Sequence, residues 1–276
     1  MISAHLGRQA RKTVAALAFR LLIFAGLFPA AAGADGVAAE VLRELVPGPS
    51  AFARVTDGHH TISFGDDAVT VVLAGLWRDP AGHPPHPDVG DGLRRAIDGR
   101  KLKLYFDALR EDRFGRTIAH VAVLDEQGAP VLWLQRYLLL QGLARVSTSR
   151  LNHALAEELL TAEAQARAAK SGLWSDGTFV VRNAADTAMP TGEFSLVQGK
   201  IAKVAGFGGL IYLNFGSNWR DDFTIAVERR LSRRVHGGLK GLQKLEGQDV
   251  RVRGWVFRLN GPAIRADHSA QIEILR

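Results

Sequence analysis

The chain has 276 residues, of which 47% are hydrophobic and 23% are charged, and its formal net charge is +7. This length allows two ordinary domains, and the composition is that of a globular protein. Because the chain contains no cysteine, disulfide scaffolds, zinc ribbons, iron–sulfur clusters and thiol nucleophiles are excluded. The positive balance favours an anionic partner, so its distribution along the chain decides where such a partner would bind.

Residues 1–34 have the composition of an export signal. They contain four basic residues and no acidic residue, then an apolar run over 21–28, then the small-residue sequence Ala32-Gly33-Ala34. This order predicts a signal peptide, a periplasmic or secreted protein, and no integral membrane domain after cleavage. The alternative is an uncleaved anchor over residues 13–32, in which Arg20 would be costly. Removing residues 1–34 leaves a net charge of +3.

A stretch of low hydrophobicity over residues 181–192 is predicted to link two domains, at 50–180 and 193–276. Residues 35–191 contain 17 basic and 20 acidic residues, whereas residues 192–276 contain 14 basic and 8 acidic residues. The positive charge of the exported chain therefore belongs to the C-terminal region.

Hydrophobic periodicity predicts strands and helices in the first region and mainly strands in the second. The first region has predicted strands at 61–64, 69–75, 101–106 and 116–123, and predicted helices at 93–97, 131–140 and 151–171. The second has predicted strands at 194–204, 210–215, 223–228, 249–257 and 263–275, with a helix or loop at 229–245. Five strands with this insertion are typical of a small Greek-key barrel of the OB type.

Several short strings in the first region carry a more specific signal. They are Val55-Thr56-Asp57-Gly58-His59-His60-Thr61-Ile62, Val71-Val72-Leu73-Ala74-Gly75-Leu76, Asp112-Arg113-Phe114-Gly115-Arg116, Gly142-Leu143-Ala144-Arg145-Val146, and Ala162-Glu163 through Ala166-Arg167 to Gly172-Leu173-Trp174. In order and spacing they resemble the thermonuclease (staphylococcal nuclease-like) family over about residues 50–180. The resemblance implies a mainly β fold with helices (α+β): an OB-like five-stranded β-barrel with three helices. The second region, with Val252-Arg253-Gly254-Trp255, resembles the OB-type barrel that some exported bacterial members append.

The resemblance also implies a chemistry, which is phosphodiester hydrolysis. Carboxylates hold a cation such as Ca²⁺, a glutamate activates water, and two arginines bind the phosphate. The second arginine corresponds to Arg116, but the first falls at Val72, the metal aspartate at Trp77 and the general base at Pro80. This predicts a degenerate site that has lost Ca²⁺, with Arg116 as the candidate catalytic residue. The alternative for Arg116 is a turn arginine that pairs with Asp112.

Histidines near the predicted cation site suggest a different metal. His59 or His60 replaces a second metal-binding carboxylate, and Asp79, His83 and His86 lie in the opposite loop. Asp57, His59 and Asp79 are candidate ligands, because imidazole with carboxylate favours Zn²⁺, Ni²⁺ or Cu²⁺ over Ca²⁺. The simpler interpretation of residues 83–87 is a rigid exposed loop, and no cofactor is predicted.

Candidate ligand-binding residues are mostly arginines of the second region. They are Arg113 beside Arg116, and Arg229, Arg230, Arg233 and Arg234. With Tyr212, Trp219, Phe223, Trp255 and Phe257, the second group resembles a surface for single-stranded nucleic acid. The alternative is that the aromatic residues form the core and the arginines a solvated face. We therefore expect an exported protein that binds nucleic acid or another polyanion; an active nuclease with a rearranged site, or an envelope interaction protein, is the alternative.

Overall fold

The computed structural model describes residues 34–56, 59–77, 86–186, 189–218 and 220–275. The helices are α1 (Ala34–Val41), α2 (Pro87–Ile97), α3 (Leu134–Leu140), α4 (Ala156–Ala168) and α5 (Leu239–Gln243). The strands are β1 (Val46–Val55), β2 (Thr61–Phe64), β3 (Val69–Leu73), β4 (Lys101–Phe106), β5 (Thr117–Leu124), β6 (Pro130–Trp133), β7 (Val181–Asn183), β8 (Phe194–Lys200), β9 (Lys203–Phe207), β10 (Leu210–Asn214), β11 (Thr224–Glu228), β12 (Asp249–Leu259), β13 (Gly261–Ala266) and β14 (Ile272–Ile274). Asp57, Asp79, Trp219 and residues 1–33 of the predicted signal lie outside the described residues.

The first five strands close into a barrel. Strand β1 pairs with both β2 and β4, β4 pairs with β5, and β5 runs parallel to β3, which completes the ring through β2. Different segments of β1 serve the two neighbours: residues 46–52 pair with β4, with a shift of register between Pro47 and Ser50, and residues 53–55 pair with β2. The inward side chains, such as Ile62, Val71 and Leu102, are fully buried. Helix α2 lies between β3 and β4 in the chain.

The second barrel has the same connectivity. Strand β8 pairs with β12, β12 with β13, β13 runs parallel to β11, and β10 joins β11 to β9. Only Ile201 and Ala202 separate β8 from β9, so these two strands act as one bent strand that closes the ring. Helix α5 again lies between the third and fourth ring strands. Both barrels are therefore of the OB type, and the predicted fold class is confirmed.

Some predicted elements are wrong in extent. The predicted helix at 131–140 begins only at Leu134, because Pro130–Trp133 pairs with β5 as strand β6. The predicted helix at 151–171 begins only at Ala156. The predicted strand at 263–275 is divided by a 3₁₀ turn at Ser269–Gln271.

The predicted linker contributes to the second barrel. Its first residues form β7, which runs parallel to β8, and Ala184 and Met189 are buried in the second core. The predicted domain limits at 50–180 and 193–276 stay a prediction. The described residues form one compact unit, and a small apolar cluster that includes Ala166, Trp174, Phe194 and Leu196 joins the barrels. Among the described residues, no helix is long and apolar enough to cross a membrane.

Candidate functional site

Arg116 lies in a tight turn that is organised by Asp112. One carboxylate oxygen of Asp112 accepts hydrogen bonds from the backbone N–H of Phe114 (2.8 Å) and of Arg116 (3.1 Å). The other accepts from the guanidinium of Arg116, both from Nε (2.7 Å) and from Nη2. Gly115 has a φ of +74°, which glycine adopts without strain. The guanidinium of Arg116 is thus paired with Asp112, as the turn-arginine alternative expects; its catalytic role stays a prediction.

The guanidinium of Arg116 stabilises the ionised form of Asp112. Partial burial acts to raise the pKa of Asp112, but hydrogen bonds from Arg116 and Phe114 outweigh it and hold the pKa below its ordinary value. The Phe114 ring is 64% exposed, and the guanidinium groups of Arg113 and Arg116 lie 4.7 and 5.0 Å from its centre. Arg113 is exposed at the tip of the turn and is accessible to an anionic ligand.

We expect Arg116→Ala to destabilise the protein by about 1–3 kcal/mol, because Asp112 loses charge-assisted hydrogen bonds in a partly buried turn. The shift of the urea midpoint of unfolding measures this effect. Arg113→Ala, at an exposed position of the same turn, is the control and should change stability by less than about 0.5 kcal/mol. Equal midpoints for the wild type and Arg116→Ala would show that the pair with Asp112 has no structural role.

Trp77, at the position predicted for the metal aspartate, packs against the second barrel. Its backbone N–H donates to the carbonyl of Arg145 (2.8 Å), which fixes the chain just after β3. Its indole ring stacks on Phe194 of β8, with centroids 4.3 Å apart and planes inclined by 14°. The ring of Trp255 on β12 also lies near the Trp77 ring, with centroids 6.0 Å apart and planes inclined by 42°. Two aromatic rings of the second barrel therefore contact the residue at this position.

The described residues do not fit the cation site that the family resemblance implies. Trp77 supplies no oxygen ligand, and Val72, at the position of the first arginine, lies on β3 between Thr61 and Ile118. His60 is buried, and its Nε2 donates to the carbonyl of Leu143 (2.9 Å). Within the described ranges, no group of three or more histidine, aspartate or glutamate side chains could hold a metal ion. Asp57, Asp79, Pro80 and His83 lie outside those ranges.

Comparison with known proteins supports the domain assignment for the part of the chain that contains Arg116. Residues 91–176 match the family described as staphylococcal nuclease homologue. The chain is 30% identical over 93 residues to the thermonuclease of Staphylococcus hyicus. The chain contains a thermonuclease-like domain. The matched segment covers 34% of this chain and 52% of that relative, so the chain spans about half the length of the relative. The family match begins after Trp77 and the candidate metal ligands, and ends before the second barrel.

A buried ion pair joins the thermonuclease-like domain to the second barrel. Glu163 of α4 accepts hydrogen bonds from the backbone N–H of Val146 (2.7 Å) and from Nη1 of Arg253 on β12 (2.9 and 3.0 Å). Arg253 is 1% exposed and also pairs with Glu273 of β14. Burial acts to lower the pKa of Arg253, but Glu163 and Glu273 raise it above its ordinary value, so the guanidinium stays charged. The sequence alone could not reveal this pair, because its partners lie 90 residues apart.

A second polar contact joins the same two parts. The Nδ1–H of His268 donates to Asp267 (2.6 Å), and its Nε2 lies 2.8 Å from the hydroxyl of Thr148 in the thermonuclease-like domain. The hydrogen bond from His268 lowers the pKa of Asp267 below its ordinary value. The imidazole of His268 is buried, since the residue is 2% exposed, and it links the second barrel to Thr148.

A cavity of about 390 Å³ opens where the thermonuclease-like domain meets the second barrel. Its lining includes Trp77, Arg145, Arg182, Glu193 and Trp255. The guanidinium of Arg145 lies 4.8 Å from the centre of the Phe179 ring and 5.3 Å from that of Phe194. Arg145 and Arg182 were not among the predicted binding residues; the only signal in the sequence is the position of Arg145 inside one of the family strings.

The four arginines predicted for ligand binding are exposed on the connection between β11 and α5. Arg229 and Arg230 line an open groove with Gly208 and Gly209 of the hairpin between β9 and β10. Arg230 pairs with Glu228 (2.6 Å), whereas Arg229, Arg233 and Arg234 have no acidic partner within 4.0 Å in the described ranges. Among the predicted aromatic residues, Phe223 is part of the core and Trp255 is 44% exposed.

Proposed function

We propose that this chain is an exported protein that binds nucleic acid or another polyanion through its second barrel. In this proposal the thermonuclease-like domain has lost the Ca²⁺-dependent hydrolysis of its family. The observation that carries the loss of hydrolysis is the stack of Trp77 on Phe194, with ring centroids 4.3 Å apart. A hydrolase of this type needs an oxygen ligand for a hard cation at that position, and the chain places apolar rings there.

The expected loss of activity is large. Removing one preorganised group that stabilises developing charge reduces the rate by about 10²–10³-fold, and losing a general base reduces it by a further 10²–10⁴-fold or so. Val72, Trp77 and Pro80 replace three such groups, and the guanidinium of Arg116 is already paired with Asp112. These replacements support a binding function over an efficient hydrolase.

The distribution of charge supports the second barrel as the binding surface. Residues 192–276 contain 14 basic and 8 acidic residues, whereas residues 35–191 carry a small net negative charge. Exposed arginines attract phosphate groups and release counterions when they bind. The arginines on the connection between β11 and α5 are exposed and can bind phosphate groups in this way. Among the described residues, Arg229, Arg233 and Arg234 have no acidic partner.

The proposal is tested by the salt dependence of binding to a fluorescent single-stranded 20-mer, measured by anisotropy. We expect log Kd to rise with log salt concentration by about 0.7 for each phosphate contacted. Replacing Arg229, Arg230, Arg233 and Arg234 together with alanine should reduce this slope and weaken binding. The matched control replaces Arg43, Arg54, Arg95 and Lys101, which are exposed on the thermonuclease-like domain, and removes the same charge.

The outcomes separate the candidate functions. Equal effects of the two quadruple variants would contradict the second barrel as the binding surface. Binding to vesicles of anionic lipid with no binding to the oligonucleotide would favour an envelope interaction protein. Cleavage of the oligonucleotide that requires a divalent cation would favour a nuclease with a rearranged site.

A further inference from the structure

A continuous band of aromatic and cationic side chains runs from the cavity between the barrels onto the second barrel. We call it the junction groove; its residues are Trp77, Arg145, Arg182, Trp255, Phe257 and Arg265. The first three line the cavity together with Trp255. Trp255 also lines an adjoining depression with Phe257 and Arg265. Because Trp255 lines both, the two depressions adjoin at this residue.

The strand pattern places the second half of this groove on the outer face of the barrel. On β12, Trp255 and Phe257 flank Val256, which is fully buried; on β13, Arg265 follows Ile264, which is also fully buried. Successive side chains of a strand point to opposite faces, so Trp255, Phe257 and Arg265 all point outward. Val256 pairs with Ile264, which brings the two outward rows together. The guanidinium of Arg265 lies 5.6 Å from the centre of the Phe257 ring.

Trp255 is exposed and Phe257 is half-buried, and neither residue belongs to the apolar core of the second barrel. Trp255 is 44% exposed, although tryptophan normally buries a large apolar surface. Side chains two residues apart on a strand are separated by about 6.6 Å. This separation is roughly twice the 3.4 Å between stacked bases of a duplex strand. The two rings therefore match neighbouring bases of an unstacked single strand better than a duplex.

Cations are fixed at the cavity end of the groove. Arg145 lies close to the rings of Phe179 and Phe194, and its Nη1 donates to the carbonyl of Phe194 (3.3 Å). Arg182 is held by Glu193 through a contact of 2.9 Å. Guanidinium groups that are already oriented lose little entropy when they bind phosphate. The groove thus combines flat apolar faces with oriented cations, and the carboxylate of Glu193 partly neutralises Arg182.

We infer that the junction groove binds single-stranded nucleic acid, with bases stacked on Trp255 and Phe257 and phosphates on Arg145, Arg182 and Arg265. This inference rests on the proposed function; it specifies the strandedness of the ligand and adds, to the exposed arginines between β11 and α5, a surface that binds the bases. Aromatic stacking combined with a basic groove is the means by which proteins bind single strands without sequence preference. A duplex presents phosphates but not base faces, so it contacts the arginines of the groove only.

The test compares binding of a 12-residue oligothymidylate with binding of a 12-base-pair duplex. We expect Trp255→Ala to weaken single-strand binding about tenfold or more, since one base stack contributes about 1–3 kcal/mol, and to leave duplex binding unchanged. Trp255→Phe should restore most of the single-strand affinity because it keeps a stacking face. Phe52→Ala is the matched control, since Phe52 is 63% exposed on β1 of the other barrel. Quenching of tryptophan fluorescence by the single strand should decrease in Trp255→Ala.

Three results would overturn the inference. If the wild type binds the single strand and Trp255→Ala binds it equally well, the groove is not the binding surface, although the proposed function stands. If Trp255→Ala weakens single-strand and duplex binding by the same factor, the residue does not stack on bases. Absence of binding to either oligonucleotide by the wild type would overturn the proposed function together with the inference.

Discussion

Arg253→Met is expected to destabilise the protein by about 3–5 kcal/mol, because it leaves Glu163 buried without its main counter-charge. Glu163 is fully buried and receives two of its hydrogen bonds from Arg253. Since the pair joins α4 to β12, the loss should also weaken the association of the two barrels. Chemical denaturation followed by fluorescence measures the change in the free energy of unfolding, and limited proteolysis around residues 181–192 reports separation of the barrels.

Two further variants make this prediction specific to the buried pair. Arg230→Met breaks an ion pair whose arginine is 80% exposed and should change stability by less than about 1 kcal/mol. Glu163→Gln combined with Arg253→Met should recover part of the lost stability, because the fully buried position 163 then carries no uncompensated charge. Equal stability of Arg253→Met and the wild type would contradict the buried pair as a link between the barrels.

Stability is expected to decrease as the pH falls through the weakly acidic range, because of His120 on β5. Its imidazole is 2% exposed, and burial lowers its pKa from 6.5 to about 4, with Asp107 opposing the shift. Between these values the unfolded chain binds a proton that the folded chain does not bind. His120 therefore does not lower the free energy of unfolding above pH 6.5. Between pH 6.5 and pH 4 it lowers this free energy progressively, by about 3 kcal/mol in total.

The check is the free energy of unfolding at a series of pH values from 7.5 to 4.5. His120→Leu should remove most of the slope in this range, whereas His86→Gln, at a partly exposed position, should retain it. Asp112 and Asp267 also have lowered pKa values, so they contribute chiefly below this range. A slope that is the same with and without His120 would show that the imidazole is not buried neutral.

Much of the fold could be predicted because its signals are local. Alternation of apolar residues identified β2 and β4 to the residue, and the stripe of Leu159, Ala162 and Ala166 marked the buried face of α4. Strand β1 was not predicted, since it contains Pro47, Gly48 and Pro49 and is mostly exposed. Its position is set by pairing with β2 and β4, which a local pattern does not encode.

The candidate site was less predictable because it depends on contacts between distant residues. The family strings identified Arg116 and the replacement of an aspartate by Trp77, but not the ring from β8 that stacks on Trp77. In the same way, Arg253 and Glu163 each belong to a string that resembles the family, but neither string indicates that the two residues form an ion pair. The contact between Arg253 and Glu163 joins residues that are 90 positions apart, and no periodicity relates them.

We propose that the chain binds nucleic acid but does not cleave it by the Ca²⁺-dependent mechanism that the resemblance to thermonucleases implies. This claim is tested most directly by incubating the protein with a labelled single-stranded oligonucleotide and Ca²⁺, and resolving each sample on native and denaturing gels. We predict a complex on the native gel and an intact oligonucleotide on the denaturing gel, for both the wild type and Arg116→Ala. Ca²⁺-dependent cleavage by the wild type that Arg116→Ala abolishes would contradict the claim.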